Sequence, residues 1–332
     1  MTAPRPRRVF VYRDRRLLEA LVEVVHNALR RWPIGHASIW EDALRNPAWR
    51  DVSPDRADYF LVPVTFSCAD TVVWRGRFPT LTHERGRRHF LAFDAAIRAA
   101  LQMLPHFRRH SRRHLCLQLG DLNEDFPAFE GLVLFKHAAC RSSKALALPY
   151  WVRPELWRAA VRAGPIERCS LDLCFRGDAA LVPLRRRLEA AIDSARKAGL
   201  RCSFMHRPNG APDGREVAAY ARELATTRFV LCPRGVASNS IRFFESLLFG
   251  RIPVLVSDDA KLPLEGLIRF EDFVVRVPEK DITRAHQYIL EFLRGRSISE
   301  ASRLAQAAFL DYLSSETAFV QRSLDSRRFV RP

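Results

Sequence analysis

The stretch of residues 229–259, FVLCPRGVASNSIRFFESLLFGRIPVLVSDD, has the pattern of a strand, a loop, a helix and a second strand. The apolar runs 229–232 and 252–256 have the length of buried strands. Between them, apolar residues recur at helical spacing over 240–249, and Gly250 marks the end of that helix. Two buried strands joined through a helix are parallel, with a right-handed crossover. The stretch therefore predicts an α/β domain built on a parallel sheet.

Ligands of such sheets bind beyond the carboxyl ends of the strands. The residues expected there belong to the loop after the first strand and the turn after the second: Arg234, Gly235, Ser238, Asn239, Ser257 and Asp258. A helix N-terminus, a glycine that allows close approach and a guanidinium together form a plausible phosphate or diphosphate site. On spacing alone, the alternative that Gly235 is a simple turn and Arg234 a solvated charge is equally open.

This stretch resembles the exostosin family of glycosyltransferases. The matching elements are CPRG at 232–235, then Ser238, Glu245, Gly250, Pro253-Val254 and Ser257-Asp258, with a second match in Pro54-x-x-Ala57-Asp58 before the apolar strand 59–64 and a third in Leu148-Pro149-Tyr150. The resemblance implies the GT-B fold class, an α/β architecture in which two doubly wound Rossmann-like domains face each other across a cleft. Alternating strand and helix patterns in both halves of the chain agree with it.

The strand and helix patterns also suggest domain boundaries. We expect an N-terminal, acceptor-side Rossmann-like domain over 1–150 and a linker over 151–168. A C-terminal domain that binds the nucleotide-sugar is expected over 169–295. The remaining residues, 296–332, are predicted as C-terminal helices, for which a return to the first domain is one option.

The resemblance implies an enzyme that moves a sugar from a nucleotide-sugar donor, a UDP-sugar by expectation, to a hydroxyl of a glycan, lipid-linked or small-molecule acceptor. It also implies that Glu245 binds the ribose hydroxyls. An ordinary exposed helix glutamate, paired with Arg242 or Arg222, is the alternative. Arg176 and Gly177 end another predicted strand, so they join Arg242 as candidates for the donor site. A non-catalytic protein that binds a glycan or a partner through a transferase-like fold is the competing function.

Negative charge builds on the diphosphate as the glycosidic bond of the donor breaks, and either a metal ion or a helix N-terminus with arginines can stabilise it. The sequence has no Asp-x-Asp motif. We therefore expect metal-independent stabilisation of the leaving group, as in GT-B enzymes, with no cofactor besides the donor. We also expect the transfer to be inverting. Inversion needs a base for the acceptor hydroxyl. Asp121, which follows a predicted strand of the first domain, is the candidate, with His106, His110 and His137 as rivals.

The formal net charge of +17 comes almost entirely from arginine and favours anionic partners, among them an anionic membrane surface. Nucleic acid is not expected, because no reading motif or basic tail is present. The basic run 108–113 has a solvated loop as its equal alternative. Lacking an apolar run long enough for a membrane span or a signal peptide, the chain is expected in the cytoplasm, with a peripheral position at the inner membrane face as an option.

Overall fold

The computed structural model describes residues 6–29, 43, 45–66, 84–119, 125–208 and 212–326. The chain divides into two compact units, one formed by residues 1–148 with 315–332 and the other by residues 149–314. Each unit contains a five-stranded sheet in which every pair of neighbouring strands is parallel. This confirms the predicted class of two α/β domains with parallel sheets, the architecture of the GT-B class.

The sheet of the first unit follows chain order. Its strands are β1 (Val9–Val11), β2 (Tyr59–Phe66), β3 (His114–Gln118), β4 (Val133–Lys136) and β5 (Leu146–Ala147). Among the described residues up to 148, its helices include α1 (Arg15–Leu29), α2 (Pro47–Arg50), α3 (Glu84–Gln102) and α4 (Phe107–His110). The apolar faces of α1 and α3 bury Leu21 and Phe93 in one core with Phe60 of β2. Helical periodicity thus selects the faces that cover the sheet.

The strands of the second unit are β6 (Leu171–Gly177), β7 (Cys202–His206), β8 (Thr227–Pro233), β9 (Ile252–Val256) and β10 (Val275–Val277). Its helices are α5 (Pro154–Ala160), α6 (Leu188–Lys197), α7 (Gly214–Thr226), α8 (Ile241–Leu248), α9 (Ala285–Leu293) and α10 (Ile298–Ala308), the last continuing into a π-helical turn at Phe309–Leu313. The strand order is β10-β9-β8-β6-β7. The chain therefore changes direction across the sheet between β6 and β8, which opens a crevice at their carboxyl ends.

The unit β8–α8–β9 is the stretch that the sequence singled out, and its observed bounds differ from the predicted ones by at most two residues. Gly250 follows α8 with φ +65°, a left-handed conformation that glycine adopts without steric cost. Arg251, only 1% exposed, donates hydrogen bonds to the carbonyls of Gly164, Leu224 and Ala225. These bonds satisfy the C-terminal end of α7 and join it to the start of β9.

The predicted linker and the C-terminal helices do not follow the domain boundaries that the sequence predicted. Residues 151–168, predicted as a linker, contain α5 and a 3₁₀ turn (Ile166–Arg168) and belong to the second unit. Helix α10 also belongs to the second unit, whereas the last helix, α11 (Glu316–Asp325), lies in the first. There Phe319 packs against Phe135 of β4 at 6.1 Å between ring centroids, and Gln321 accepts a hydrogen bond of 2.6 Å from the Trp49 indole.

None of the helices in the described part of the chain combines the length and the apolar character that crossing a bilayer requires.

Candidate functional site

A pocket of about 260 Å³ opens in the second unit at the carboxyl end of β6, the strand at which the order across the sheet reverses, beside α7 and the first turn of α8. Its polar lining consists of Arg153, Arg176, Asp178, Arg185, Arg207, Glu216, Tyr220, Arg242 and Glu245. A larger groove of about 460 Å³ lies between β10 and α9, but none of its lining residues is a predicted site residue. The smaller pocket is lined by four predicted site residues, Arg176, Gly177, Arg242 and Glu245, and is therefore the candidate site.

Arg185 ties the two strand ends together below the pocket. It lies in the 3₁₀ turn Pro183–Arg187 and is 5% exposed. Its guanidinium donates to the carbonyls of Arg234 at 3.0 Å, Pro233 at 3.2 Å and Asp178 at 3.3 Å. Arg185 is not among the site residues predicted from the sequence. Its signal was an arginine in the first turn after a strand that ends in a candidate site.

Arg242, in the first turn of α8, is held against the end of β6. Its Nε donates a 2.6 Å hydrogen bond to the carbonyl of Arg176, and its guanidinium carbon lies 5.2 Å from the ring centroid of Phe175. A Cβ atom at Gly177 would overlap the guanidinium of Arg242. Gly177 is therefore required for Arg242 to lie where it does. The side chain of Arg176 is committed to Glu223 at 2.7 Å.

Glu245 follows Arg242 by three residues and is 5% exposed. It accepts a hydrogen bond of 2.7 Å from the hydroxyl of Tyr220 in α7. Burial raises the pKa of the Glu245 carboxyl, and this is opposed by the Tyr220 hydrogen bond and by the charges of Arg242 and Arg153. The alternative of an exposed glutamate is therefore wrong, because the carboxylate is buried and its partner is a tyrosine. A buried carboxylate of this kind is an acceptor suited to hydroxyl groups.

Tyr220 was not among the predicted site residues. It lies three residues after Val217 and four before Leu224, both buried, and so on the face of α7 that packs against the sheet. Burial and the neighbouring Glu245 raise the pKa of its hydroxyl well above the usual value. A tyrosine on the apolar face of a helix is the signal that could have identified it, since a buried phenol usually finds a hydrogen-bond partner.

Two side-chain donors at the N-terminus of α8 have no hydrogen-bond partner among the described residues. The Asn239 side-chain oxygen accepts from the Ser240 N–H at 2.8 Å, but the Asn239 amide nitrogen is buried without a hydrogen-bond partner among the described residues. The Ser240 hydroxyl is also buried without a hydrogen-bond partner among the described residues, and it makes no capping hydrogen bond to α8. Ser257 donates to the Ser238 carbonyl at 2.7 Å and so joins the loop after β8 to the end of β9. Unused buried donors at a helix N-terminus favour an anionic ligand.

Arg234 and Asp258 form a second group, outside the residues that line the pocket. The Arg234 guanidinium makes two hydrogen bonds, of 2.6 and 3.0 Å, to the carboxylate of Glu279. Asp258 accepts from the Glu279 backbone N–H at 2.9 Å. The charge of Arg234 is thus compensated within the protein. Gly235 lies close to Arg185, since a Cβ atom added at Gly235 would be 3.2 Å from Arg185 Nη2.

The candidate base, Asp121, lies outside the described residues. Of its rivals, His106 and His110 stand before β3, at the amino ends of the strands of the first unit. His106 stacks on Tyr12, and His110 stacks on Phe60. Both belong to an aromatic cluster at the edge of the sheet opposite the ligand-binding edge. His137 is buried directly after β4.

Comparison with known proteins identifies the family. The family model described as the Exostosin GT47 domain matches residues 3–292. This chain belongs to the exostosin GT47 family. Within the described residues, no group of three or more His, Cys, Asp or Glu side chains is placed so that it could hold a metal ion.

Relatives of this GT47 protein include the probable glucuronoxylan glucuronosyltransferase IRX7 of Arabidopsis thaliana, which is 25% identical over 284 residues, 76% of this chain and 59% of the relative. The probable beta-1,4-xylosyltransferase IRX10L of the same plant is 43% identical over 63 residues, 19% of this chain and 15% of the relative. The chain spans about three fifths of the curated relatives that it matches over most of its length. Among solved structures, WaaG, a glycosyltransferase involved in lipopolysaccharide biosynthesis, aligns with a TM-score of 0.36 at 11% identity, covering 96% of this chain and 98% of that one.

Proposed function

We propose that this GT47 protein is a glycosyltransferase that moves a sugar from a UDP-sugar donor to a hydroxyl of a glycan, lipid-linked or small-molecule acceptor. The observation that carries the proposal is the pocket at the switch between β6 and β8. It combines the buried Glu245 carboxylate with the guanidinium groups of Arg153 and Arg242, whose charges act on Glu245 and which form no salt bridge within the described residues. Guanidinium groups that are not held in a salt bridge can bind the negative charges of a diphosphate.

In the proposed complex the Glu245 carboxylate accepts hydrogen bonds from the ribose, while Arg242 and the N-terminus of α8 hold the diphosphate. The bond between the anomeric carbon and the diphosphate oxygen breaks, and the oxygen keeps the electron pair. Fixed positive groups stabilise that developing charge without reorganising during the reaction. We propose that they make a metal ion unnecessary.

The acceptor hydroxyl then attacks the anomeric carbon from the face opposite the leaving group, which inverts the configuration. A carboxylate takes the hydroxyl proton as the new bond forms. Asp121 is the proposed base.

The relatives suggest which donors to test first. They are named as probable glucuronosyltransferases and xylosyltransferases, so UDP-glucuronic acid and UDP-xylose are the first donors to test. A uronic acid brings one more negative charge than a neutral sugar. Arg176 is paired with Glu223, and the other four arginines of the pocket still outnumber its three carboxylates, so we propose UDP-glucuronic acid as the better ligand.

A thermal-shift screen tests the proposal. The purified protein is heated with UDP, GDP, CMP, dTDP, UDP-glucuronic acid and UDP-xylose, with and without EDTA. A ligand at about 100 times its Kd stabilises by about 2.7 kcal/mol. We expect a uridine-selective shift that EDTA leaves unchanged.

The variant Arg242→Gln should lose most of that shift. The matched control Arg158→Gln, which removes an exposed arginine outside this pocket, should keep it. Absence of a shift with every nucleotide would refute the donor site and favour a non-catalytic protein that binds a glycan or a partner. A shift that appears only with divalent metal would refute metal independence.

We further propose that the protein acts in the cytoplasm, at the inner face of the membrane, on the basis of its net charge of +17. Fractionation of the cells that express it tests this placement. Recovery outside the cytoplasmic compartment would refute it.

A further inference from the structure

Arginines gather at one edge of the first unit, where strands β1, β2 and β3 begin. We call this group the amino-edge patch. It consists of Arg7, Arg8, Arg56, Arg108, Arg109, Arg112 and Arg113. The same three segments of chain, 6–8, 54–58 and 107–113, contain only two acidic residues, Asp55 and Asp58. The run 108–113, which the sequence left open between a solvated loop and a functional feature, thus becomes part of a larger surface.

The strand register places these segments side by side. Val9 pairs with Tyr59, and Phe60 pairs with His114, so the three strands begin at nearly the same level. Direct contacts fix the arrangement. The Asp58 carboxylate accepts a hydrogen bond of 2.8 Å from the Arg8 backbone N–H. The Asp58 backbone carbonyl accepts a hydrogen bond of 2.8 Å from Arg113 Nε. The patch is therefore built from three separate segments on a rigid sheet edge.

Most of the positive charge in the patch is uncompensated. Arg8 is paired with Asp58, and Arg113 is hydrogen-bonded to backbone carbonyls with its guanidinium over Phe60. The other five arginines are exposed, and within the described part of the chain none of them forms an ion pair: Arg7, Arg56, Arg108, Arg109 and Arg112. The pKa of His110 is lowered by burial and then by the charges of Arg113 and Arg109, which agrees with a positive field.

The position of the patch separates it from substrate chemistry. Parallel strands bind ligands at their carboxyl ends. Strand β3 has five residues, so its two ends lie roughly 16 Å apart. A partner on the patch would leave the ligand-binding edge of this sheet uncovered.

The aromatic residues beside the patch do not suit nucleic acid. Phe60 is 0% exposed and Phe107 is 9% exposed, so neither ring offers a platform on which a base could stack. What remains is a cluster of exposed cationic groups on a fixed surface. A cluster of four to eight arginines or lysines is the usual signature of attraction to anionic lipid headgroups.

We propose that the amino-edge patch is a docking surface for a bilayer that contains anionic phospholipid. This places the membrane contact on the first unit and does not depend on the donor pocket of the second. Removing one such arginine lowers the membrane partition coefficient about fivefold, since each contributes about 1 kcal/mol near an anionic surface. Loss of three should therefore weaken binding on the order of 100-fold.

Vesicle flotation of the full chain tests this proposal. One set of vesicles is phosphatidylcholine alone, and the other contains one quarter phosphatidylglycerol. The patch variant carries Arg108→Gln, Arg109→Gln and Arg112→Gln. The matched control carries Arg158→Gln, Arg162→Gln and Arg222→Gln, three exposed arginines of the second unit without ion pairs in the described residues, so both variants lose the same charge.

We expect the wild type and the control to float with the anionic vesicles and the patch variant to stay behind. Binding should vanish at about 0.5 M salt, where the Debye length is about 4 Å. Equal loss in both triple variants would refute the patch in favour of net charge alone. Failure of the wild type to float, even if it is retained on a heparin resin, would refute a lipid partner. Circular dichroism and the UDP thermal shift, which should be unchanged in both variants, separate this result from misfolding and from failure of the proposed donor site.

Discussion

Replacing Glu245 by glutamine should stabilise the protein without nucleotide and weaken its binding of nucleotide. Glutamine has nearly the same shape as glutamate. Its side-chain oxygen can still accept the hydrogen bond that the Tyr220 hydroxyl donates to Glu245 at 2.7 Å. What the substitution removes is a negative charge at a site that is 5% exposed. The two effects have opposite signs, so no simple loss of folding can imitate them.

The effect on stability follows from the raised pKa of Glu245. Because the folded protein holds this proton more tightly than the unfolded chain does, the free energy of unfolding falls as pH rises from the unfolded pKa through the folded pKa. Above that window the ionised carboxylate imposes its full cost. We expect Glu245→Gln to be more stable by about 1 kcal/mol at neutral pH, or about 2–4 °C in Tm. At a pH below about 4 the difference should disappear, because glutamate is then neutral in both states.

The effect on binding follows from the hydrogen bonds that an ionised acceptor makes. A hydrogen bond to a charged group contributes about 1.5–3 kcal/mol. Its loss should weaken UDP binding about 10- to 150-fold, since each 1.4 kcal/mol is a factor of ten. Titration calorimetry with UDP measures this change, and a thermal melt across pH measures the stability.

A control distinguishes charge removal at this site from charge removal in general. Glu223 is also buried, but it is paired with Arg176 at 2.7 Å and hydrogen-bonded to Ser203. Glu223→Gln should therefore lower the Tm at neutral pH. If Glu245→Gln also lowers it, or if UDP binds the Glu245 variant as tightly as the wild type, the assignment of this carboxylate to the ribose is wrong.

Three further substitutions test the frame around the pocket. Arg185→Met removes three hydrogen bonds to strand-end carbonyls and should cost about 2–5 kcal/mol in urea denaturation; an unchanged midpoint would contradict its role. Gly177→Ala should displace Arg242 and abolish the UDP thermal shift, whereas Gly199→Ala, with φ +88° and no atom within 4 Å, should cost stability alone, about 1–3 kcal/mol. Arg251→Met should destabilise by a similar 2–5 kcal/mol but leave UDP affinity intact, and a loss of affinity would show that its effect reaches the pocket.

The sequence predicted the parts of this protein that depend on neighbours along the chain. Apolar runs of strand length and an apolar face at helical spacing located β8, α8 and β9 within two residues. The glycine after α8 was predictable because a left-handed residue ends many helices. The site also lies where parallel strands bind ligands, at their carboxyl ends, and strand ends can be read from local patterns.

The unit to which each segment belongs was harder to predict from the sequence. Residues 147–154 are rich in proline and aromatic side chains, and Leu148-Pro149-Tyr150 resembles an element that lies between domains in the family, so a linker was expected over 151–168. In the structure, α5 packs in the second unit, with Trp157 at 5.5 Å from the ring of Phe309. The last helix lies instead with the first unit, through Phe319. Contacts between residues more than one hundred positions apart leave no periodic signal in either segment.

Side-chain partners in the site were decided by the tertiary structure alone. The order β10-β9-β8-β6-β7 brings Arg185 under the end of β8, some fifty residues away in sequence. The packing of α7 beside α8 places Tyr220 on Glu245 and converts a plausible surface glutamate into a buried acceptor. Local spacing determines which face of an element is buried, but the element that covers this face is set by the order of the strands. That order determined which charges in the pocket are compensated and which remain available to a ligand.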